Sequence, residues 1–202
     1  YGYIQFSKDS ARVLIYGYDW AILSDTSGRR LGSAQLRRDG TVAMQLQAAI
    51  SPDGGKWVWH DEKGQLILQS SATGQRLDSL DLGTNRINKL VFSPDNSFLL
   101  VCGSTDTTTL LWDISNRKRV PLRGHSRVVS NGFFSPEGKK VASYDRSGLL
   151  RIWSLQGDSL DSFASESQLI KDAFFVNEDS ILVQTSDPMV ALRPGGSQNV
   201  RP

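Results

Sequence analysis

The chain has 202 residues, with 23 basic and 21 acidic side chains and a formal net charge of +2. This near-neutrality argues against nucleic acid or an anionic membrane as partner, and no apolar run approaches the ~18 residues of a membrane helix. A single cysteine, Cys102, excludes an internal disulfide framework.

Taken in chain order, the sequence repeats itself about every 42 residues. Ile4-Gln5-Phe6-Ser7-Lys8-Asp9 opens the first copy, followed by the apolar pair Val13-Leu14 and a turn at Ser27-Gly28. The second runs from Ala49-Ile50-Ser51-Pro52-Asp53-Gly54 through Trp57-Val58 to a turn at Thr73-Gly74, and the third from Val91-Phe92-Ser93-Pro94-Asp95-Asn96 through Leu99-Leu100. The fourth holds Phe133-Phe134-Ser135-Pro136-Glu137-Gly138, Val141-Ala142, a third apolar strand at Leu149–Trp153, a turn at Gln156-Gly157 and a fourth strand at Asp158–Phe163. The fifth holds Phe174-Phe175-Val176-Asn177-Glu178-Asp179, Leu182-Val183 and a short outermost segment at Gln198-Asn199-Val200.

A fixed period of this length with strand-like content predicts blades of four strands. Aligned on Ser7, Ser51, Ser93, Ser135 and Val176, the copies carry one apolar column at Val13, Trp57, Leu99, Val141 and Leu182, and a second at Leu14, Val58, Leu100, Ala142 and Val183. Adjacent apolar columns predict a strand covered on both faces, as in a sheet held between two neighbouring sheets. The Ser-Pro-Asp-Gly segments are turn chemistry, which gives Ser51, Ser93 and Ser135 a structural reading rather than one as modification sites. No segment sustains a 3.6-residue period with helix caps. The predicted class is all-β, with blades of four antiparallel strands at about 1–40, 41–83, 84–124, 125–166 and 167–202.

Trp112-Asp113, Trp153-Ser154, Gly124-His125 and the Ser-Pro-Asp-Gly turns resemble the WD40-repeat β-propeller family. The resemblance is strongest in the third and fourth copies. It implies a structural hydrogen-bonded network of His, Ser/Thr, Asp and Trp within a repeat. Here it points to Ser104, Asp106 and Trp112 in the third copy, with Gly83 in place of His, and to His125 and Trp153 in the fourth, with Ser147 at the Asp position and Asp145 two residues early. At the Trp position the second copy has Gln69, the first Leu23 and the fifth Arg193, so no copy is expected to carry the full network. The resemblance also implies partner binding on the rim where the innermost strands begin: Arg86, Asn88, Arg127, Ser130 and Lys171, with the turns at Thr105, Arg146 and Ser186.

Five copies, the first starting on its innermost strand, predict part of a larger propeller whose closure calls for further blades or a second chain. Tyr1 is not Met and already reads as strand, which suggests a piece of a longer protein.

The residues offer little for catalysis. His60 and His125 do not cluster with Cys102 as zinc ligands do, so no metal and no cofactor is expected. His60, next to the turn Asp61-Glu62-Lys63-Gly64, is expected to be solvated or to support a neighbour. Cys102, in an apolar run, reads as a small core residue. The basic stretch Arg117, Lys118, Arg119, Arg123, Arg127, Lys139 and Lys140 would divide between two rims, unlike a phosphate-tracking surface. The expected function is a non-catalytic module for protein–protein interaction or scaffolding. The alternatives are a sensor or regulatory arm of a larger multidomain signalling protein, and a propeller hydrolase with a central-channel site. No signal pattern and no Asn-x-Ser/Thr acceptor occurs, and the expected location is cytoplasmic.

Overall fold

The computed structural model describes residues 2–36, 46–83, 87–103, 109–165 and 169–185, and the backbone alone at 190–192 and 199–200. Among these residues there is no helix, and none long and apolar enough to cross a membrane.

Five antiparallel sheets follow one another along the chain, each in sequential strand order. The first contains β1 (Tyr3–Phe6), β2 (Arg12–Tyr16), β3 (Trp20–Asp25) and β4 (Arg30–Gln35). The second contains β5 (Ala48–Ile50), β6 (Lys56–His60), β7 (Gln65–Ser70) and β8 (Arg76–Asp81). The third contains β9 (Lys89–Phe92), β10 (Phe98–Cys102), β11 (Thr109–Asp113) and β12 (Lys118–Leu122). The fourth contains β13 (Val129–Phe134), β14 (Lys140–Asp145), β15 (Leu149–Ser154) and β16 (Ser159–Ala164). The fifth contains β17 (Asp172–Asn177), β18 (Ser180–Gln184), β19 (Val190–Leu192) and β20 (Asn199–Val200). These are blades of a partial propeller.

The two apolar columns do opposite jobs because successive side chains on a strand point to opposite faces. Trp57 joins the apolar cluster shared with blade 1, whereas Val58 joins the one shared with blade 3. Leu99 likewise faces blade 2 and Leu100 faces blade 4. Val141 faces blade 3 and Ala142 faces blade 5. Four buried clusters therefore lie between consecutive blades, and blades 2, 3 and 4 are each covered on both faces.

The fifth blade departs from the expected column. Phe6, Ile50, Phe92 and Phe134 pair with Val13, Trp57, Leu99 and Val141, but Phe175 pairs with Ile181. The four-residue turn is replaced by a tighter one in which Asn177 opposes Ser180, with a bulge beside it. The register moves by one residue, so Ile181 and Val183 are buried against blade 4 and Leu182 turns to the far face. Pairing also puts Ser24 opposite Val13 and Leu192 opposite Ile181, rather than Leu23 and Arg193; Arg193 itself lies outside the described residues.

The Ser-Pro-Asp turns explain their own recurrence. The hydroxyls of Ser7, Ser51 and Ser93 donate to Asp9, Asp53 and Asp95 at 2.5–2.6 Å, and each accepts the backbone N–H five residues on, at 2.9–3.0 Å. Successive turns are also tied together. Lys8 N–H donates to Pro52 O at 2.7 Å, Asp53 N–H to Asn96 Oδ1 at 3.1 Å and Glu137 N–H to Glu178 Oε1 at 2.6 Å, while Arg12 Nη1 donates to Gly54 O. One rim thus carries hydrogen bonds that join blade 1 to blade 2, blade 2 to blade 3 and blade 4 to blade 5. Ser51→Ala removes a buried donor to Asp53 and the acceptor for Lys56 N–H. Its urea midpoint is expected to fall by the equivalent of about 1–3 kcal/mol, and an unchanged midpoint would show that the turn is held by backbone alone.

Candidate functional site

The most concentrated polar chemistry lies inside blade 4. His125 precedes β13, Ser143 and Asp145 lie on β14, and Trp153 lies on β15. His125 Nδ1 is 2.8 Å from Asp145 Oδ2, and His125 Nε2 is 2.8 Å from Ser143 Oγ. Trp153 Nε1–H donates to Ser143 Oγ at 2.9 Å. Ionised Asp145 can only accept, so His125 carries its proton on Nδ1 and Ser143 donates to Nε2. The result is one directional chain, Trp153 to Ser143 to His125 to Asp145. Asp145 Oδ1 also accepts from Ser147 N–H at 2.8 Å and from Ser147 Oγ–H at 2.5 Å.

This corrects the expectation that no repeat carries a full network. Asp145 fills the carboxylate role from its own place on β14, and Ser147 serves as its donor. The serine is set by register rather than by counting back from Trp153, since Val141 pairs with Trp153 and Ser143 lies two residues further along β14. In blade 3 the matching residue is Val101, buried and without a hydroxyl. Trp112 is buried against blade 2, and Ser104 and Asp106 lie outside the described residues.

A Ser–His–Asp chain at these distances is also the constellation of an activated serine nucleophile. Burial decides between the two roles. Ser143 is 0 % exposed, Asp145 1 % and His125 4 %, and the serine oxygen is already held by an indole. No substrate reaches it, and the chain is a structural clasp between the start of the blade, β14 and β15.

Electrostatics agree with that role. Burial pushes the His125 imidazole below its ordinary 6.5, and the neighbouring Asp145 only partly opposes it, so the ring is neutral. For Asp145, burial works upward, yet the bonds from Ser147 and His125 hold its carboxyl below the ordinary 3.8. In the turns, Asp9 is held down chiefly by the Ser7 hydroxyl, while Asp53 and Asp95 are held down by Ser51 and Ser93 against the upward push of burial. A group whose pKa is depressed on folding stabilises the fold above its unfolded value and ceases to as pH falls through its folded value. Stability is therefore expected to decline as pH drops below about 6.5, where unfolded His125 takes up a proton, and to decline again below about 3.8 as the carboxylates follow. Urea midpoints from pH 8 to pH 3 check this, and a midpoint that rises on acidification would contradict it.

The other polar candidates are more scattered. His60 is fully buried, not solvated, and its Nδ1 lies 3.1 Å from Asp61 O. Cys102 is buried and its thiol is pushed up to about 12, which leaves it unreactive. Among the described residues no three His, Cys, Asp or Glu side chains gather as metal ligands. Of the basic stretch, Arg117 reaches Asp78 of blade 2 at 3.5 Å, and Lys139 and Lys140 pair with Glu137 and Asp179.

Asn88, Arg127, Ser130 and Lys171 all lie where innermost strands begin, on the rim opposite the Ser-Pro-Asp turns. Asn88 Nδ2 donates to Val129 O at 2.8 Å and so ties blade 3 to blade 4. Arg127 and Lys171 are exposed, and neither makes an ion pair among the described residues, while Ser130 is half-buried. Arg86, Thr105 and Ser186 lie outside the described residues.

Comparison with known proteins agrees with this architecture. The WD40 family model, described as WD domain, G-beta repeat, matches residues 74–113 and 116–154. Each match spans the outermost strand of one blade and the inner three of the next, so the sequence unit is offset by one strand from the sheet. Nuclear distribution protein PAC1 of Candida albicans is 27% identical over 130 residues, covering 63% of this chain and 25% of that protein. WD repeat and SOCS box-containing protein 1 of Homo sapiens is 33% identical over 95 residues, covering 46% and 22%. Small ribosomal subunit protein RACK1 of Glycine max is 28% identical over 126 residues, covering 53% and 38%. The chain thus matches only about a quarter to two fifths of the length of these relatives.

Proposed function

We propose, from its WD40 repeats, that the chain is a non-catalytic module that binds a protein partner through one rim of its blades and acts as a scaffold. The observation that carries this reading is the sealing of the Ser143–His125–Asp145 chain inside blade 4, where it can only brace the blade. Chemistry that would otherwise argue for an enzyme is spent on rigidity, and rigidity is what a recognition surface built on loops requires.

The partner-binding rim in this reading is that of Asn88, Arg127, Ser130 and Lys171. Two exposed cations there, free of ion pairs among the described residues, favour a partner with carboxylates on its docking face. The module works in the cytoplasm, as part of a larger propeller completed by further blades or a second chain. Support for completion comes from the two end faces. Ile4 and Phe6 are 61 % and 62 % exposed on blade 1, and Phe174 and Val176 are 52 % and 57 % exposed on blade 5.

The test is a titration. A partner captured by cross-linking is purified and titrated against the chain, and Arg127→Glu and Lys171→Glu are expected to weaken binding about tenfold together. Affinity indifferent to both substitutions would remove the rim from the proposal.

A further inference from the structure

The outer half of blade 4 holds a cation with unused donors. Arg151 lies on β15 two residues before Trp153, so both side chains share the face turned towards blade 3. Its Cζ stands 5.6 Å from the centroid of the Trp153 ring. The guanidinium occupies the space that a side chain at residue 124 would need. A Cβ on Gly124, whose φ is +138°, would meet Arg151 Cζ at 2.9 Å and Nη1 at 3.1 Å. Arg151 Nε is buried with no hydrogen-bond partner, and Nη1 donates to the Ser159 hydroxyl at 3.3 Å. Two carboxylates flank that serine, yet Arg151 makes an ion pair with neither among the described residues. Asp158 accepts from the Ser154 hydroxyl at 3.0 Å. Asp161 is opposite Ile152, on the other face, and its Oδ1 accepts Ser162 N–H at 2.7 Å.

We propose that Ser159 is a phosphorylation site and that Arg151 is the built-in receptor for its phosphate. This goes beyond the interaction-module reading and does not depend on the Arg127–Lys171 rim. Ser159 is exposed on β16, the outermost strand of its sheet, which pairs only with β15. Ser159 and Asp161 oppose Trp153 and Ile152, consecutive residues of β15, so Leu160 is an extra residue, and it is 50 % exposed. A bulge of this kind interrupts regular pairing and leaves an extended segment open to a kinase from the outer edge. The flanking Asp158 and Asp161 complement a kinase whose substrate groove is basic. In the transfer, Ser159 Oγ attacks the γ-phosphorus of a nucleoside triphosphate. The new Oγ–P bond forms as the bond to the β-phosphate oxygen breaks, the hydroxyl proton passes to the base of the kinase, and the nucleoside diphosphate leaves. The phosphate brings a charge of about −2 and three acceptor oxygens to a guanidinium that now holds one neutral acceptor. The charge-assisted bonds that result are stronger than the one they replace, and they fasten the outermost strand to β15 and to the linker at Gly124.

The full chain is incubated with ATP, magnesium and a panel of acid-directed serine kinases, and peptide mapping by mass spectrometry locates the phosphate. Ser159 is expected to carry most of it, and Ser159→Ala to lose most of the incorporation. The receptor is tested on the chain with phosphoserine installed at 159 by genetic-code expansion, titrated by phosphorus NMR. The second ionisation of the phosphate, ordinarily near about 6, is expected about half a pH unit lower with Arg151 than in Arg151→Gln, because the cation favours the dianion. Arg151→Lys should fall between the two, since it keeps the charge but not the planar fork. Far-UV circular dichroism checks that the variants fold. If Arg151→Gln does not, the phosphorylated chain with Arg151 decides, since its ionisation must lie lower in the folded state than in urea. Phosphate found mainly on Ser162 or elsewhere, no incorporation by any kinase of the panel, or an ionisation indifferent to Arg151 overturns the proposal. Saturable binding of inorganic phosphate to the unmodified chain, lost in Arg151→Gln, overturns it in favour of a free-anion site.

Discussion

Trp153→Ala is expected to lower stability by about 3–5 kcal/mol. The indole is 1 % exposed and belongs to the apolar cluster that joins blades 3 and 4. Removing it opens a cavity at an interface flanked by Leu100, Val120 and Val141, and also takes away the donor to Ser143. The two losses separate by substitution. Trp153→Phe keeps most of the packing and loses only the Nε1–H bond, for about 1 kcal/mol. Ser143→Ala keeps the indole but strands both Trp153 Nε1–H and His125 Nε2, two buried groups at about 1–3 kcal/mol each. Because the three residues share one chain of hydrogen bonds, the double substitution Ser143→Ala with Trp153→Phe should cost less than the sum of its parts. Guanidinium unfolding curves measure all four. Additive losses would mean that the bonds act separately, and a change under about 1 kcal/mol for Trp153→Ala would mean that the interface closes over the gap.

The pattern that made the fold legible was the pair of neighbouring apolar columns. Leu99 and Leu100 are adjacent in sequence and both fully buried, which a sheet with one wet face does not allow. Turn chemistry was legible for the same reason, since a serine that must meet an aspartate two residues on leaves its signature in the chain. Register was not legible wherever a hairpin changed length. Leu182 was placed in the column by counting, but the tighter Asn177–Ser180 turn moved Ile181 into it. The blade 4 network was missed for a related reason. Asp145 is opposite Val129 at the far end of β14, and a spacing borrowed from the third repeat put its role two residues late, at Ser147. Hydrogen bonds across strands obey pairing, and pairing is settled by turns and bulges that composition does not reveal. The signal that would have found the network was alternation on β14, where Ser143 and Asp145 follow Val141 on one face.

The isolated chain is expected to associate in solution, with the outer face of blade 5 on one copy against the outer face of blade 1 on the next. These two faces are the halves of an interface that occurs four times inside the molecule. At Trp57, Leu99, Val141 and Ile181 a blade meets the one before it, and Val13 holds that place on blade 1, where no described residue packs over it as a preceding blade. At Leu14, Val58, Leu100 and Ala142 a blade meets the one after it, and Leu182 holds that place on blade 5, where no described residue packs over it as a following blade. Ile4, Phe6 and Trp20 add exposed apolar surface to the first face, and Phe174 and Val176 to the second. Patches of this kind are rare on isolated soluble proteins and mark contact surfaces. The contact joins unlike faces, so it is heterologous, and it grows into closed rings or open chains rather than stopping at a two-fold pair. Light scattering should therefore report a mass above 22.3 kDa that rises with concentration. Ile4→Asp with Phe174→Asp should return it to the mass of one chain. Both positions are more than half exposed, so the blades themselves should keep their unfolding midpoint. A wild-type chain that stays at 22.3 kDa at every concentration would show that the end faces do not find each other. Association that survives the two aspartates would place the contact elsewhere.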